Sequence, residues 1–370
     1  MTRLLEKMQA ISDKGLIDAR PDRVSASRST VRTFRSELNQ LTLLLRQTSL
    51  TIAMNTITPL AHKNRNAPIQ AENIIARMVQ NRDPEMRPDK VAYSSLIKCW
   101  IKSGRPKAAD RAEEVIDILH QKYLEGKQEC KPDATVYNIA MDALAKSRAK
   151  NAGQRAERLL NRMQACYEAG DEDLAPTTES FSTVMSAWAR SGGEKGAKVA
   201  ETLLAKMHEL EKSGLANVSP NTISYSTCIM AWRNSRLPDA GERADRLLEK
   251  MERLEAEGCV RVKPNAIAYT NAMEAWINSA QPNSLKRVEA ILEHMIDRAE
   301  KGDVKSSPTA ITFNVVLKAI RYSDIPDKHV KAQQVINRMK SMDGQMRVKP
   351  VTTTYNAVRS VCSPTPLALH

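Results

Sequence analysis

Residues 132–147 read PDATVYNIAMDALAKS, and residues 220–235 read PNTISYSTCIMAWRNS. The two stretches align without a gap: Pro132 on Pro220, Tyr137 on Tyr225, Leu144 on Trp232 and Ser147 on Ser235. Working outward, prolines stand at 88, 132, 176, 220, 264 and 308, each 44 residues from the last, and then at 350 after 42. Five residues after each comes an aromatic: Tyr93, Tyr137, Phe181, Tyr225, Tyr269, Phe313 and Tyr355. Seven residues further on stand Trp100, Trp188, Trp232 and Trp276, with Leu144 and Ile320 in the same column. These two columns hold eleven of the fifteen aromatics, so the period organises the whole chain.

Each unit is numbered here from the second residue after its proline, which puts the aromatic at position 4, the Trp at position 11 and the next proline at position 43. Every unit reads as two helices. In the first, Tyr93, Ile97 and Trp100 recur at i, i+4 and i+7; in the second, Ala112, Val115, Ile116 and Leu119 recur at i, i+3, i+4 and i+7. Breakers such as SGRPKAAD, SGGEKGAK and SRLPDAGE separate them. Small residues at position 10 (Cys99, Ala143, Ala187, Ala231, Ala275, Ala319) and position 23 (Ala112, Ala156, Ala200, Ala244, Val288, Ala332) let helices approach closely. Leu119, Met163, Met207, Met251, Met295 and Met339 at position 30 fill the space beside them, and this column and the Trp column are assigned to the core. A single helical hairpin cannot bury its own apolar stripe, so neighbours must stack into an all-α solenoid of helix-turn-helix repeats.

Seven repeats are delimited: 51–89, 90–133, 134–177, 178–221, 222–265, 266–309 and 310–351. A half repeat and tail occupy 352–370, and partial or degenerate units occupy 1–50. Met8 precedes Pro21 by the same gap as Met163 precedes Pro176, so the chain is expected to begin in mid-repeat.

Composition narrows the function. Lys and Arg number 56 against 43 Asp and Glu, an excess that favours a polyanionic partner, either nucleic acid or an anionic membrane surface. No stretch approaches the roughly 18 uncharged apolar residues of a membrane span. The six cysteines form no CxxC and lie far apart, which excludes a zinc ribbon or a small disulfide framework and points to a reducing compartment. The opening MTRLLEKMQA reads as an amphipathic helix and not a secretory signal, while residues 20–35, rich in Arg, Ser and Thr, have the composition of an organelle transit peptide.

The recurring Pro-Asp-x-Val-x-Tyr-Ser/Asn, the Lys-Ser-Gly of the first turn and the Ala-Glu-x-Leu-Leu-x-x-Met of the second helix resemble the pentatricopeptide repeat (PPR) family over roughly residues 51–360. The units are longer than the family's usual one, by three residues before the second helix and six after the Met column. In this they are similar to the repeats preceding the nuclease of protein-only RNase P, although no such nuclease is visible. The resemblance implies a right-handed superhelix that binds single-stranded RNA along its concave face, one nucleotide per repeat. Position 5 and the last position would read each base edge, and position 2 would sandwich bases between neighbouring repeats.

The implied base-reading pairs are Asn55 with Asp89, Ser94 with Asp133, Asn138 with Thr177, Ser182 with Asn221, Ser226 with Asn265, Thr270 with Thr309 and Asn314 with Val351. By the family's preferences the better-defined pairs spell a site near 5′-U-G-Y-A-A-3′. Both columns have a plainer reading as helix caps or first-turn polar residues. The implied sandwiching residues are Ile52, Val91, Thr135, Ile223, Ile267 and Ile311; Glu179 breaks the column, and packing between repeats is its alternative. At position 13, Lys63, Lys102, Lys146 and Arg190 would meet phosphates or simply complement a helix C-terminus. The column then turns neutral with Asn234, Asn278 and Tyr322, so the N-terminal half is expected to supply more electrostatic affinity.

Nothing in the sequence points to catalysis. The six histidines make no HxE or HExxH signature, there is no GxxxxGK[ST], and no carboxylate cluster stands outside the repeat pattern. The expectation is a non-enzymatic RNA-binding array without cofactor, acting in RNA processing, stability or translation in a mitochondrion or plastid, with other organellar RNA-processing proteins as further partners. The alternatives are a protein-binding scaffold and the RNA-binding portion of a larger RNA-processing enzyme.

Overall fold

Six of the described first helices start at the residue after a proline, and that residue's side chain caps them. Asp89, Asp133 and Asn265 each turn a side-chain oxygen back onto the backbone N–H three residues on, at 2.8, 3.0 and 2.9 Å. Thr177, Asn221 and Thr309 do the same within reciprocal capping boxes. The structure, a computed structural model, describes residues 54, 57–59, 61–62, 64, 66–81, 87–105, 107–147, 149, 151–214, 217–342 and 348–362. The degenerate segment 1–50 lies outside the described residues.

The elements follow the period. Helix α1 (Ala67–Gln80) ends the short first unit. Then come the pairs α2 (Lys90–Lys102) and α3 (Ala108–Leu124), α4 (Ala134–Lys146) and α5 (Ala152–Glu168), and α6 (Thr178–Ser191) and α7 (Gly193–Lys212). They continue with α8 (Thr222–Ser235) and α9 (Ala240–Ala256), α10 (Ala266–Asn278) and α11 (Ser284–Glu300), and α12 (Ala310–Tyr322) and α13 (Lys328–Ser341). A last first helix, α14 (Thr352–Cys362), closes the array, and no strand occurs among the described residues. Each first helix packs on its own second helix, on the second helix of the preceding unit and on the first helix of the next. The chain is therefore an all-α solenoid in which consecutive first helices form one closely spaced row.

Both terminal breakers have a clear physical cause. At the end of the first helices the serines of position 14 donate back to helix carbonyls, Ser103 to Trp100, Ser147 to Leu144, Ser235 to Trp232, Ser279 to Trp276 and Ser323 to Ile320, all at 2.7 Å. At the end of the second helices stand Gly126, Gly170, Gly214, Gly258 and Gly302, all with φ between +88° and +100°, a conformation that side chains resist. The six added residues after the Met column fold here. In four units they make a short 3₁₀ turn whose last residue (Cys130, Leu174, Val262 or Ser306) is buried. The Cys130 thiol and the Ser306 hydroxyl also donate to the carbonyls of Pro88 and Pro264, one unit back, so the extension rivets neighbouring units together.

The position 4 aromatics from Tyr93 to Phe313, the four Trp and the position 30 column are buried in one continuous core. Tyr355 departs from its column at 49 % exposure, because no second helix follows it among the described residues. Burying each such side chain contributes on the order of 1.5–3 kcal/mol. Two Trp rings lie flat on glycine: a Cβ at Gly153 would stand 2.5 Å from the Trp188 ring and one at Gly241 2.4 Å from that of Trp276.

Consecutive second helices are joined by long side chains. Arg111 reaches Glu72, Arg155 reaches Glu113, Arg287 reaches Asp245 and Lys331 reaches Glu289, each one unit back. The same column holds Val199 in α7, so that ion pair is missing at the α5–α7 junction. There Glu157 instead accepts from the Trp188 indole N–H at 3.2 Å.

Candidate nucleic-acid interface

At about 100° per residue, positions 2, 5, 9 and 13 of a first helix fall on one face, opposite the positions 4, 7 and 11 that enter the core. Burial follows that division. Val91, Ile223, Ile267 and Ile311 are exposed by 52, 64, 63 and 66 %, although each sits on a helix whose opposite side is wholly buried. Thr135 and Glu179 are exposed in the same column. Packing between repeats is therefore not what occupies these aliphatic side chains. Ile223, Ile267 and Ile311 occupy the same place on three consecutive first helices, with Thr135 and Glu179 between them and Val91.

Position 5 is not a helix cap. Ser94, Asn138, Ser182, Ser226, Thr270 and Asn314 lie one turn inside their helices, beneath position 2. The caps are the last-position residues, as described above. Three of the sequence-derived pairs are brought together through a third residue. The Ser180 hydroxyl donates to Asn138 Oδ1 at 2.7 Å and stands 3.1 Å from Thr177 Oγ1. Ser224 Oγ lies 3.1 Å from Ser182 Oγ and donates to Asn221 Oδ1 at 3.2 Å. Thr312 Oγ1 lies 3.3 Å from Thr270 Oγ1 and 3.2 Å from Thr309 Oγ1.

The other pairs are not bridged. The Ser94 hydroxyl donates to the carbonyl of Lys90 at 2.7 Å, while Asp133 Oδ2 is ion-paired with Lys90 at 2.8 Å. The Ser226 hydroxyl is buried with no partner, and Asn265 spends only its Oδ1 on capping. Asn314 donates through Nδ2 to Thr353 at 3.3 Å while its Oδ1 is buried and unpartnered, and Val351 offers no polar group. Asp89 caps α2, but its partner Asn55 lies outside the described residues, as do Ile52 and Lys63.

At position 13, Lys102, Lys146 and Arg190 are exposed. Lys146 pairs with Asp142 at 2.6 Å, whereas Lys102 and Arg190 have no carboxylate partner among the described residues. Further along, Asn234 and Asn278 donate to the carbonyls of Ala189 and Arg233, at 2.9 and 3.0 Å, in the preceding first helix. Arg233 itself is held by Asn271 and Glu274 at 2.7 and 2.8 Å. The Arg233 charge is thus met by a carboxylate on the next first helix.

The sequence reading missed the position 3 hydroxyls. Their signal was present in the three-residue spacing of Thr177 to Ser180, Asn221 to Ser224 and Thr309 to Thr312, the spacing of a capping box. It also missed the hydrogen bonds between second helices and the next unit's tyrosine. His120 meets Tyr137 Oη at 2.6 Å and His208 meets Tyr225 Oη at 2.8 Å, while Tyr269 donates to Glu252 at 2.6 Å. Burial pushes the His120 and His208 imidazoles below their usual range and the Tyr93 phenol up to about 12. The Trp rings are 1–6 % exposed, leaving no face for a nucleotide. Among the described residues no group of His, Cys, Asp or Glu is arranged to hold a metal ion, and no helix is long and apolar enough to cross a membrane. No known family model matches this chain, and neither does any curated protein.

Proposed function

We propose that the row of first helices binds an unpaired RNA strand, as the resemblance to pentatricopeptide repeats implies. Val91, Ile223, Ile267 and Ile311 stack against bases, the position 5 and last-position groups meet base edges, and Lys102, Lys146 and Arg190 meet phosphates. The observation that carries this reading is the exposed aliphatic column. Four β-branched side chains recur on one face, each beside a small polar group one helical turn away. Bases supply flat apolar faces and hydrogen-bonding edges at a regular repeat, which matches that alternation. The setting proposed for this activity is RNA processing, stability or translation in a mitochondrion or plastid, without catalysis by this chain.

The test is equilibrium binding of the full chain to single-stranded RNA containing the 5′-U-G-Y-A-A-3′ site, to its scrambled version and to a duplex, over a range of salt. Tighter binding to the intact site is expected, weakening as salt rises by about 0.7 log units per log unit for each phosphate contact. Equal affinity for site and scramble would end the sequence-selective reading. Salt-independent binding to a protein partner with none to RNA would replace it by a scaffold.

A further inference from the structure

At three of the described base-reading pairs, position 3 of the following first helix sets the hydrogen bonding. Ser180, Ser224 and Thr312 each engage both members of their pair, whereas Thr354 accepts from the backbone N–H of Val351 and leaves Asn314 Oδ1 unpartnered. In the first bridge Asn138 Oδ1 is taken. In the third, the Thr270 proton is committed to the carbonyl of Ala266 at 2.6 Å, so Thr312 must be the donor between them. Where position 3 is Val136, the pair Ser94 and Asp133 is satisfied instead by Lys90.

At Ala268 the following helix offers no hydrogen-bonding side chain to the pair Ser226 and Asn265, and no other group takes its place at Ser226. The Ser226 side chain is 8 % exposed and its hydroxyl finds no partner, while its own carbonyl is taken by Asn271 Nδ2 at 3.4 Å. Across from it Asn265 caps α10 through Oδ1, leaving Nδ2 without a partner among the described residues. Ile223 and Ile267, one turn away on either side, are the exposed aliphatics that would flank a base there.

A buried hydroxyl left unbonded is a cost the free protein carries, and a ligand that bonds it relieves that cost. A site of this kind rejects ligands lacking the complementary group far more strongly than a site already satisfied internally. Resting on the RNA-binding reading, we propose that Ser226 and Asn265 form the dominant specificity subsite of the array. Ser180, Ser224 and Thr312 are positioning residues that mute the pairs they bridge. Asn314 Oδ1 is also unpartnered, but Val351 supplies no second polar group, so that unit discriminates less.

The experiment is binding of the full chain to a pool of single-stranded RNA randomised one position at a time, for wild type, Ser226→Ala, Ser224→Ala and Ser224→Thr, with a thermal melt of each. In wild type, one position is expected to discriminate among bases by about tenfold or more and the bridged units by about threefold or less. Ser226→Ala abolishes the preference at that one position without lowering Tm, since the lost hydroxyl bonds nothing in the free protein. Ser224→Ala sharpens discrimination at the adjacent position, and Ser224→Thr does not; Ala268 shows that alanine is accommodated at position 3. Discrimination spread evenly, or a preferred position that survives Ser226→Ala, overturns the subsite assignment and leaves RNA binding standing. Binding with no preference at any position, or no RNA binding, overturns both.

Discussion

The units up to 178–221 and those from 222–265 onward share a backbone plan and use one of its positions in opposite ways. In the first group position 13 presents an exposed cation at Lys102, Lys146 and Arg190; in the second it is Asn234 and Asn278, whose amides donate to Ala189 and Arg233 of the preceding helix, and then Tyr322. The end of a first helix can thus offer charge to solvent or fasten two units together, but not both. In the N-terminal half Lys102 and Arg190 keep their charge free of carboxylates, while Lys146 pairs with Asp142 in its own helix. The C-terminal half closes the seam and carries three of the four exposed aliphatics.

The largest expected effect tests what the halves have in common. Gly153→Ala and Gly241→Ala each drive a methyl into a Trp ring, and overpacking of this kind costs about 1–3 kcal/mol. Chemical denaturation should show both losses at similar size; a loss in one half alone would mean that the halves differ in packing as well as in charge. Next is the triple change Lys102→Gln, Lys146→Gln and Arg190→Gln. It should lower the salt slope of RNA binding by about 2 and leave stability almost unchanged. Asn234→Gln with Asn278→Gln should leave the slope where it was.

Asn278→Ala removes the donor from a carbonyl between units and should cost about 1 kcal/mol in denaturant, against almost nothing for Lys102→Ala. The smallest effect belongs to the first group alone. His120 and His208 are held neutral by burial, so their folded pKa lies below the unfolded one. Their stabilisation is complete above the unfolded value near 6.5 and is lost as pH falls from there toward the depressed folded value. A melt series from pH 7.5 to 5.5 should show Tm falling, and the double variant His120→Gln, His208→Gln should flatten that fall.

The period, the two-helix unit and the core columns were legible because proline and aromatic residues mark them at fixed spacing. Position 2 was legible as a column, yet its exposure was not, since an isoleucine in a helix packs inward or faces water with equal ease on paper. The bridges were hidden for a different reason. Ser180 and Asn138 are 42 residues apart and meet only when two units stack. The last-position residues, which the sequence allowed as readers or as caps, are helix caps from Asp89 to Thr309. The six added residues gave no pattern of their own; a glycine column and one buried residue per unit become meaningful only as a turn that plugs the unit before it.

Val199 carries a mechanical consequence. Ionic strength loosens charged contacts and leaves apolar ones unchanged, so added salt should slacken the outer surface at each seam except the one where valine replaces the cation. That single joint keeps its stiffness while its neighbours soften. Under changing ionic conditions the coil would flex to either side of its middle and keep a constant bend there.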